Sequence, residues 1–280
     1  MPEVKSVPDL HEPGPAIPSG TERSVPVRPA LPRRLLAEAV GTALLVTVVV
    51  GSGIAAQRLS PRDVGLQLLE NSTATVLGLA VLILMFGPVS GAHFNPVVSA
   101  VDWWLSRRAA LAVRSLTGRE LCAYVAAQVV GAVAGAVLAN AMYGLDPIQV
   151  SGHDRASWPA GLSEAVATLG LILLIFALAR TGRGALSAAA VGAYIGSAYW
   201  FTASTSFANP AVTVGRIFSD TFAGIAPASV PAFVLAQVIG AGLGLGLVLV
   251  LYPDLTTPAG AAHAAEQAVA TDLTTDVTPR

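Results

Sequence analysis

The sequence predicts an all-α membrane protein in which six transmembrane helices and two re-entrant half-helices form an inverted repeat. Of its 280 residues, 54% are hydrophobic and only 12% are charged, which is about half the charged fraction of a typical soluble domain. Six apolar segments each have about the 20 residues needed to cross a bilayer. Two further apolar stretches each contain an Asn-Pro pair, which is a start signal for a helix.

The six predicted spans divide the chain into a central domain and two tails. They cover approximately residues 34–57, 66–86, 117–142, 160–179, 185–205 and 231–252. The central domain is residues 34–252, with a first repeat at about 34–142 and a second at about 160–252. Residues 1–33 and 253–280 contain no apolar run of spanning length, so we expect disordered tails and no signal peptide.

The distribution of basic residues predicts the orientation of the chain. Of the 16 Lys and Arg residues, 12 lie on the side of the two tails. The opposite side carries only Arg58, Arg62, Arg155 and Arg216. Because basic residues accumulate in cytoplasmic loops, both termini are expected in the cytoplasm. We also expect the chain to lie in a cell's inner (plasma) membrane. The net charge of −1 gives no indication of nucleic acid as a partner.

Two stretches between the spans are too apolar for free loops and too short to cross the membrane. They are Pro88–Leu105 and Ala208–Phe218. Ten helical residues cover about 15 Å, half of a hydrocarbon core, so both stretches are predicted to form re-entrant half-helices. With both termini cytoplasmic, the first enters from the cytoplasm and the second from outside. Their helix starts can therefore meet near the midplane.

Each half-helix is predicted to begin at an Asn-Pro pair. Asn95 and Asn209 are good N-caps, because the side-chain oxygen accepts a backbone N–H of the first turn. Pro96 and Pro210 suit the first helical position, where the missing N–H leaves no bond unmade. A helix start inside a membrane exposes N–H groups and a positive dipole end. This is tolerated only where these groups line a polar cavity.

Three features recur in the same order and indicate an internal repeat. Glu38–Thr42 is echoed by Glu164–Thr168, and Ala127–Ala132 by Ala236–Ala241, with one Asn-Pro pair in each half. Each unit holds three spans, an odd number, so the second copy is inverted relative to the first. Inverted repeats with broken helices mark a substrate pathway.

Three glycine pairs with small-xxx-small spacing predict close helix packing: Gly131 and Gly135, Gly192 and Gly196, and Gly240 and Gly244.

Several of these motifs resemble those of the major intrinsic proteins, the aquaporins and aquaglyceroporins. They are Ser90–Pro96, Asn209–Ala211, the helices of Glu38 and Glu164, and the paired Ala-Gln motifs. The resemblance covers about residues 34–252. It implies a right-handed bundle of six tilted helices and two half-helices, assembled as a homotetramer with one pore per subunit. It also implies a passive channel in the lipid bilayer that is not an enzyme and uses no cofactor.

The resemblance also implies roles for the buried polar residues. The pore centre comprises the two motifs Asn95-Pro96-Val97 and Asn209-Pro210-Ala211, whose Asn amides donate hydrogen bonds to the permeating molecule. Val97 stands where the family usually has Ala, which we interpret as a packing adjustment. Glu38 and Glu164 are expected to accept backbone N–H groups of the re-entrant loops. A proton relay stays open as the alternative, because ionisable residues inside a bilayer are functional candidates.

In this family four positions form an outer constriction, and this sequence departs from the usual residues there. Counting from the two Asn-Pro pairs, with no gap assumed in the loop, assigns them to Thr75, Ser197, Ser206 and Val212. Water-selective members usually carry Phe at the first position and His at the second, and nearly all members carry Arg at the fourth. The constriction is therefore expected to be wide and uncharged, with small hydroxyl groups and one apolar wall.

This constriction favours small neutral solutes. The chain resembles the bacterial members of the family that lack the arginine of the constriction and are associated with arsenic detoxification. This resemblance implies a solute class of glycerol-like polyols, urea, and arsenous acid or related metalloid hydroxides, with some water. Arsenous acid is an uncharged triol near neutral pH and is similar to glycerol in size. Two alternatives stay open: a water-selective aquaporin, and a proton-coupled secondary transporter, which inverted repeats also permit. No nucleophile elbow or phosphate loop supports an enzyme.

Two further residues are candidates for the pore wall. Arg216 follows Val212 by four residues, so it shares the same helix face one turn outward. Because long helical side chains lean toward the helix N-terminus, its guanidinium can reach the outer vestibule. The alternative is a surface arginine that points outward or pairs with Asp220. His93 is expected to line the cytoplasmic half of the pore, and no second ligand with suitable spacing supports a metal site there.

Overall fold

The computed structural model describes residues 28–108 and 116–253, and this part of the chain contains no β-strand. The α-helices found there are α1 (Leu31–Leu59), α2 (Val64–Ser90), α3 (Pro96–Arg108), α4 (Gly118–Met142), α5 (Trp158–Arg180), α6 (Ser187–Phe201), α7 (Pro210–Gly215) and α8 (Val230–Leu251). Nearly all of the two expected tails, residues 1–27 and 254–280, lies outside the described residues.

Five of these helices are long and apolar enough to cross a membrane: α1, α2, α4, α5 and α8. The remaining expected span, residues 185–205, corresponds to α6, which has only 15 residues and follows a 3-10 turn at Gly184–Leu186. At 1.5 Å per residue α6 covers about 22 Å, less than a hydrocarbon core of about 30 Å. The chain then continues without helix from Thr202 to the start of α7.

Two helix boundaries differ from the sequence prediction. α1 begins at Leu31, with Pro32 in its first turn, so residues 31–33 belong to a helix and not to a disordered tail. Proline suits this place because the first N–H groups of a helix have no intrahelical partner. α2 continues through Pro88 to Ser90, so Pro88 belongs to a spanning helix and not to a half-helix.

Both half-helices start at an Asn-Pro pair, but they differ in length. The side-chain oxygen of Asn209 accepts hydrogen bonds from the backbone N–H groups of Ala211 and Val212, at 3.0 and 3.2 Å. The oxygen of Asn95 accepts one from Val97 at 3.1 Å. α3 has 13 residues, whereas α7 has six and continues as a 3-10 turn over Arg216–Phe218. The second half-helix is therefore the shorter one.

The inverted repeat is visible in the way its helices pack. α1 packs along α4, and α5 packs along α8 in the second half. A Cβ atom at Gly131 would overlap the backbone oxygen of Ala39, and one at Gly240 would overlap that of Ala165. These two glycines let backbones touch at equivalent places in the two halves, as the small-xxx-small spacing predicts.

Candidate functional site

A buried carboxylate of α1 holds the loop that leads into α3. Glu38 has no exposed surface. Its side chain accepts hydrogen bonds from the backbone N–H groups of His93 and Phe94, at 3.0 and 2.7 Å. It also accepts from the hydroxyl of Ser90 at 2.6 Å and from the side-chain amide of Gln128 at 2.8 Å. Four donors therefore surround this acid and fix the loop to the scaffold.

The second half of the chain repeats this arrangement on α5. Glu164, also without exposed surface, accepts from the backbone N–H groups of Phe207 and Ala208, both at 2.8 Å. It accepts further hydrogen bonds from the hydroxyl of Ser204 at 2.5 Å and the amide of Gln237 at 2.7 Å. Each donor has a counterpart of the same chemical type at Glu38, so the inverted repeat extends to single hydrogen bonds.

The two loops bend through left-handed backbone conformations. In the described part of the chain, the non-glycine residues with positive φ, between 46° and 59°, all lie here: Ala92, Phe94, Thr205, Ser206 and Ala208. Such conformations cost of order 1–3 kcal/mol each and persist where the surroundings over-determine them. The carboxylates of Glu38 and Glu164 provide those surroundings, since the bent loops turn consecutive N–H groups toward them. The sequence gives little signal for these bends, because none of the five is Gly, Asn or Asp.

The asparagines that start the half-helices link the two loops to each other. The side-chain amide of Asn95 donates to the carbonyl oxygen of Ala208 at 2.8 Å, and that of Asn209 donates to the carbonyl oxygen of Phe94 at 2.7 Å. Both asparagines also line a common cavity. Each amide nitrogen carries two hydrogens, so one hydrogen can bond the opposite loop while the other is available to a molecule in the cavity.

The cavity has a volume of about 230 Å³ and passes both asparagines. Three of the four predicted constriction residues, Thr75, Ser206 and Val212, line it. Much of the remaining wall is apolar: Leu45, Val49, Leu79, Ile83, Val98, Leu171, Val191 and Ile195. A mostly apolar cavity with a few convergent polar groups is typical of a ligand path.

The assignment of Ser197 to the constriction is wrong. Ser197 is exposed, its hydroxyl donates to the carbonyl oxygen of Tyr194 in its own helix at 2.7 Å, and it does not line the cavity. Tyr199 lines the cavity instead, with its phenol oxygen 3.2 Å from the Thr75 hydroxyl. Two residues correspond to about 200° of helix rotation, so a shift of two positions exchanges the exposed face for the cavity face.

Ser206 has a buried hydroxyl group without a partner. It is 3% exposed, and its Oγ forms no hydrogen bond with any described residue. The hydroxyl of Thr75, in contrast, already donates to the carbonyl oxygen of Asn71 at 2.9 Å. A buried polar group without a protein partner is uncommon in native structures and calls for an explanation, such as a functional role. Since Ser206 lines the cavity, its hydroxyl is available to the contents of the cavity.

Arg216 is buried in the cavity wall, and its alternative placement at the surface is wrong. Its side chain is 2% exposed, and its guanidinium carbon lies 3.5 Å from the centroid of the Phe207 ring. Its Nε donates to the carbonyl oxygen of Ala223. Asp220, the alternative partner, is exposed and accepts from the backbone N–H of Gly152 at 2.9 Å.

Val97, of the first Asn-Pro motif, is buried in the hydrophobic core and does not line the cavity.

The end of the cavity that adjoins α3 carries His93 and Asp102, and Asp102 was not predicted from the sequence as a wall residue. Both also line a second, more polar cavity of about 330 Å³ together with Arg34 and Tyr124. The Nδ1 of His93 is 3.0 Å from the hydroxyl of Ser99. The position of Asp102 on α3, seven residues beyond Asn95, could have indicated it, since residues seven apart share a helix face.

A membrane bundle in which two helix starts meet along a buried path has the structure of a channel. The family described as Major intrinsic protein matches residues 27–208. The chain therefore belongs to the major intrinsic protein family. It is 51% identical over 211 residues to Aquaglyceroporin AqpS of Rhizobium meliloti, covering 75% of this chain and 86% of that protein. It is 30% identical over 241 residues to Probable aquaporin AqpM of Archaeoglobus fulgidus, covering 75% and 93%.

A solved structure has the same fold. The X-ray structure of the aquaglyceroporin from Plasmodium falciparum superposes with a TM-score of 0.59 at 18% identity, covering 78% of this chain and 96% of that chain. The predicted family and the predicted all-α membrane fold are thus confirmed. Family membership also confirms that the protein is a multi-pass membrane channel and not an enzyme.

Proposed function

We propose that the chain forms a passive channel for small neutral solutes: glycerol-like polyols, urea, and arsenous acid or related metalloid hydroxides, with some water. The observation that carries this proposal is the group Thr75, Tyr199, Ser206 and Val212, which brings three hydroxyl groups and one apolar side chain to the cavity wall. A polyol also has hydroxyl groups along one side and carbon along the other. The 51% identity to a protein named an aquaglyceroporin supports the same class.

The free hydroxyl of Ser206 can replace a hydrogen bond that a solute loses to water when it enters the pore. A solute that enters a narrow pore loses hydrogen bonds to water, and each polar group left without a partner costs about 1–3 kcal/mol. Ser206 and the second amide hydrogens of Asn95 and Asn209 lie along one path and offer replacements. Cations lose more hydration than these neutral dipoles return, so the path suits uncharged solutes.

Tyr199 favours one alternative, a water-selective aquaporin. Its aromatic ring stands in the wall close to Thr75, at the level where the sequence suggested only small side chains. An aromatic ring narrows a pore and favours water over larger polyols. Comparing water and glycerol permeability therefore decides between these two functions.

The other alternative, a proton-coupled transporter, has little support from the buried acids. Glu38 and Glu164 are absent from the wall of the 230 Å³ cavity, and every carboxylate oxygen accepts two hydrogen bonds. Protonation would require one of these donors to lose its partner inside the membrane. The saturated hydrogen bonding favours a structural role for both acids.

We infer that the channel lies in the inner (plasma) membrane with both termini in the cytoplasm and assembles as a homotetramer. The excess of basic residues on the side of the termini supports the orientation. Large exposed apolar side chains on the helices support contact with lipid or neighbouring subunits: Leu36, Leu77, Leu84, Val130, Leu235 and Val250. Cross-linking or native mass spectrometry of the detergent-solubilised protein tests the assembly.

Permeability measurements in proteoliposomes test the proposed solute class. Light scattering after an osmotic step would be recorded with water alone, glycerol, urea and arsenous acid, using protein-free liposomes as the control. We expect glycerol and at least one of the other solutes to permeate well above the control, without saturation and without dependence on an imposed proton gradient. Water permeability without glycerol permeability would support the aquaporin alternative, and flux driven by the proton gradient would support the transporter.

A further inference from the structure

Arg216 is a cation that is fully buried in the channel wall. Of the described side chains that are almost completely inaccessible, it is the largest. The ring of Phe207 lies 3.5 Å from its guanidinium carbon, and the carbonyl oxygen of Ala223 accepts a hydrogen bond from its Nε. These contacts hold the guanidinium in one place. A cation–π contact and one hydrogen bond orient a charge, but they do not neutralise it.

No described acidic residue forms an ion pair with Arg216. The ion pairs found in the described part of the chain join Arg28 and Arg34 to Glu120, and His153 to Asp220. A nearby Arg155 adds a second positive charge. Its guanidinium lies 5.5 Å from the Phe207 ring, where it donates to the carbonyl oxygens of Phe222 and Gly224. The positive charge of Arg216 is therefore not neutralised by direct pairing with a described carboxylate.

The terminal nitrogens of Arg216 are available to the cavity. A guanidinium has five N–H donors, and only the one at Nε is bound to a described residue. Arg216 and Val212 line the same cavity, with Arg216 one helical turn further along the half-helix. Buried charges in membrane proteins face a water-filled path or mark a functional site. The geometry is that of a fixed positive charge with free hydrogen-bond donors at the outer end of the pore.

Arg216 lies at the end of α7 that points away from the meeting point of the half-helices. The positive end of the α7 dipole is at its start, at Asn209, so the end near Arg216 is the negative end of the dipole. A cation that approaches along α7 would therefore meet no barrier from this dipole before it reached the pore centre. A full charge on Arg216 supplies a barrier there.

We propose that Arg216 is the charge-selective element of the pore, which repels cations, including protons, and donates hydrogen bonds to the oxygen atoms of passing solutes. The proposal rests on the channel function and adds the specificity-determining residue to the proposed solute path. It predicts an outer constriction that is positively charged, even though Val212 itself is apolar.

Proton leak in proteoliposomes tests this inference. A trapped pH-sensitive dye would report proton entry driven by a potassium diffusion potential, for the wild type and for Arg216→Gln. We expect the leak of Arg216→Gln to exceed that of the wild type by about tenfold or more, since one unit charge is removed from a site of low dielectric constant. Arg58→Gln is the matched control. It removes one charge from the same side of the membrane at an exposed residue outside the cavity, so its leak should equal that of the wild type.

A second variant keeps the test decisive if Arg216→Gln does not fold. Arg216→Lys retains a positive charge, but burial lowers the pKa of a lysine and lets it lose its proton as the pH rises. Relative to the wild type at each pH, its proton leak should be low at pH values near 6 and should rise toward pH 9. A leak equal to wild type in Arg216→Gln, or a flat ratio in Arg216→Lys, would overturn the proposal.

This outcome can be separated from that of the proposed solute class. A wild-type protein that conducts water but no polyol would refute the solute class, while the leak of the two variants would still decide the role of Arg216. Conversely, polyol permeation in the wild type with unchanged proton leak in both variants would support the solute class and overturn the role of Arg216.

Discussion

The side-chain amide of Asn209 donates to the carbonyl oxygen of Phe94, in the loop that precedes the other half-helix, at 2.7 Å. The reciprocal bond runs from Asn95 to Ala208 at 2.8 Å. Each asparagine therefore starts its own half-helix and fixes the opposite loop. The centre of the pore is a single hydrogen-bond network, so a substitution in one half should also destabilise the other half.

The two asparagines are expected to be energetically coupled. Asn95→Ala and Asn209→Ala each remove a cap and a bond between the loops, so each should lower stability. Because residues of one network are not independent, the double variant should differ from the sum of the singles by about 0.5–3 kcal/mol. Thermal unfolding in detergent measures this. Asn71, which donates to Val49 and Ser52, is the control, and Asn71→Ala combined with Asn209→Ala should be additive.

Glu164→Gln should destabilise the fold without creating or removing proton coupling. Gln replaces one carboxylate oxygen with an –NH2 group, which cannot accept the two hydrogen bonds that this oxygen accepts. Each hydrogen bond lost to a charged group removes about 1.5–3 kcal/mol from the free energy of unfolding. Glu70→Gln is the control, because Ser60, at 2.8 Å, is the one described residue whose hydrogen bond Glu70 accepts, and Gln can still accept it. Unfolding temperatures that fall equally in both variants would contradict the structural role of Glu164.

Two glycines of α8 should respond in opposite directions to alanine. A Cβ at Gly240 would overlap the backbone of Ala165, whereas one at Gly242 would meet nothing within 4 Å. We expect Gly240→Ala to lower the free energy of unfolding by about 1–3 kcal/mol through overpacking. Gly242→Ala should raise it by up to about 1 kcal/mol, because Ala is the better helix former. Equal unfolding temperatures for the two variants would contradict the close approach of α5 and α8.

Substitutions on α6 test which of its faces lines the pore. Tyr199→Phe removes a hydroxyl from the cavity wall, so the permeability of glycerol relative to water should fall. The Thr75 hydroxyl keeps its bond to Asn71, so folding should change by less than about 1 kcal/mol. Ser197→Ala should change neither permeability, since Ser197 lies outside the cavity. Altered permeability in Ser197→Ala and none in Tyr199→Phe would reverse this assignment.

The scaffold of the pore could be predicted because each part occurs twice in the sequence. Asn95 and Asn209, and Glu38 and Glu164, sit at matching places in the two repeats. The helix caps and the close helix packing at spaced glycines then follow from local rules. Five of the six predicted spans and the chain's membership of the family agree with that prediction, whereas α6 has only 15 residues.

The constriction could not be predicted to the same accuracy, because it depends on the helical phase of α6 and on a loop. Val191, Ile195 and Tyr199 follow one another at intervals of four and line the cavity, whereas Ser197 lies between them on the other face. Counting back from Asn209 crosses loop residues whose left-handed bends at Ser206 and Ala208 leave no clear trace in the sequence. The structure was therefore needed to show which face of α6 lines the cavity.

The effect of Val212→Arg on the ratio of glycerol to water permeability tests the central claim most directly. A guanidinium in place of the valine side chain narrows the outer constriction, so glycerol permeability should fall about tenfold or more, which corresponds to a barrier higher by about 1.4 kcal/mol, while water permeability falls less. Val212→Ala is the control and should retain glycerol permeability. An unchanged ratio in Val212→Arg, with the protein folded and assembled, would contradict the claim that this constriction selects small neutral solutes.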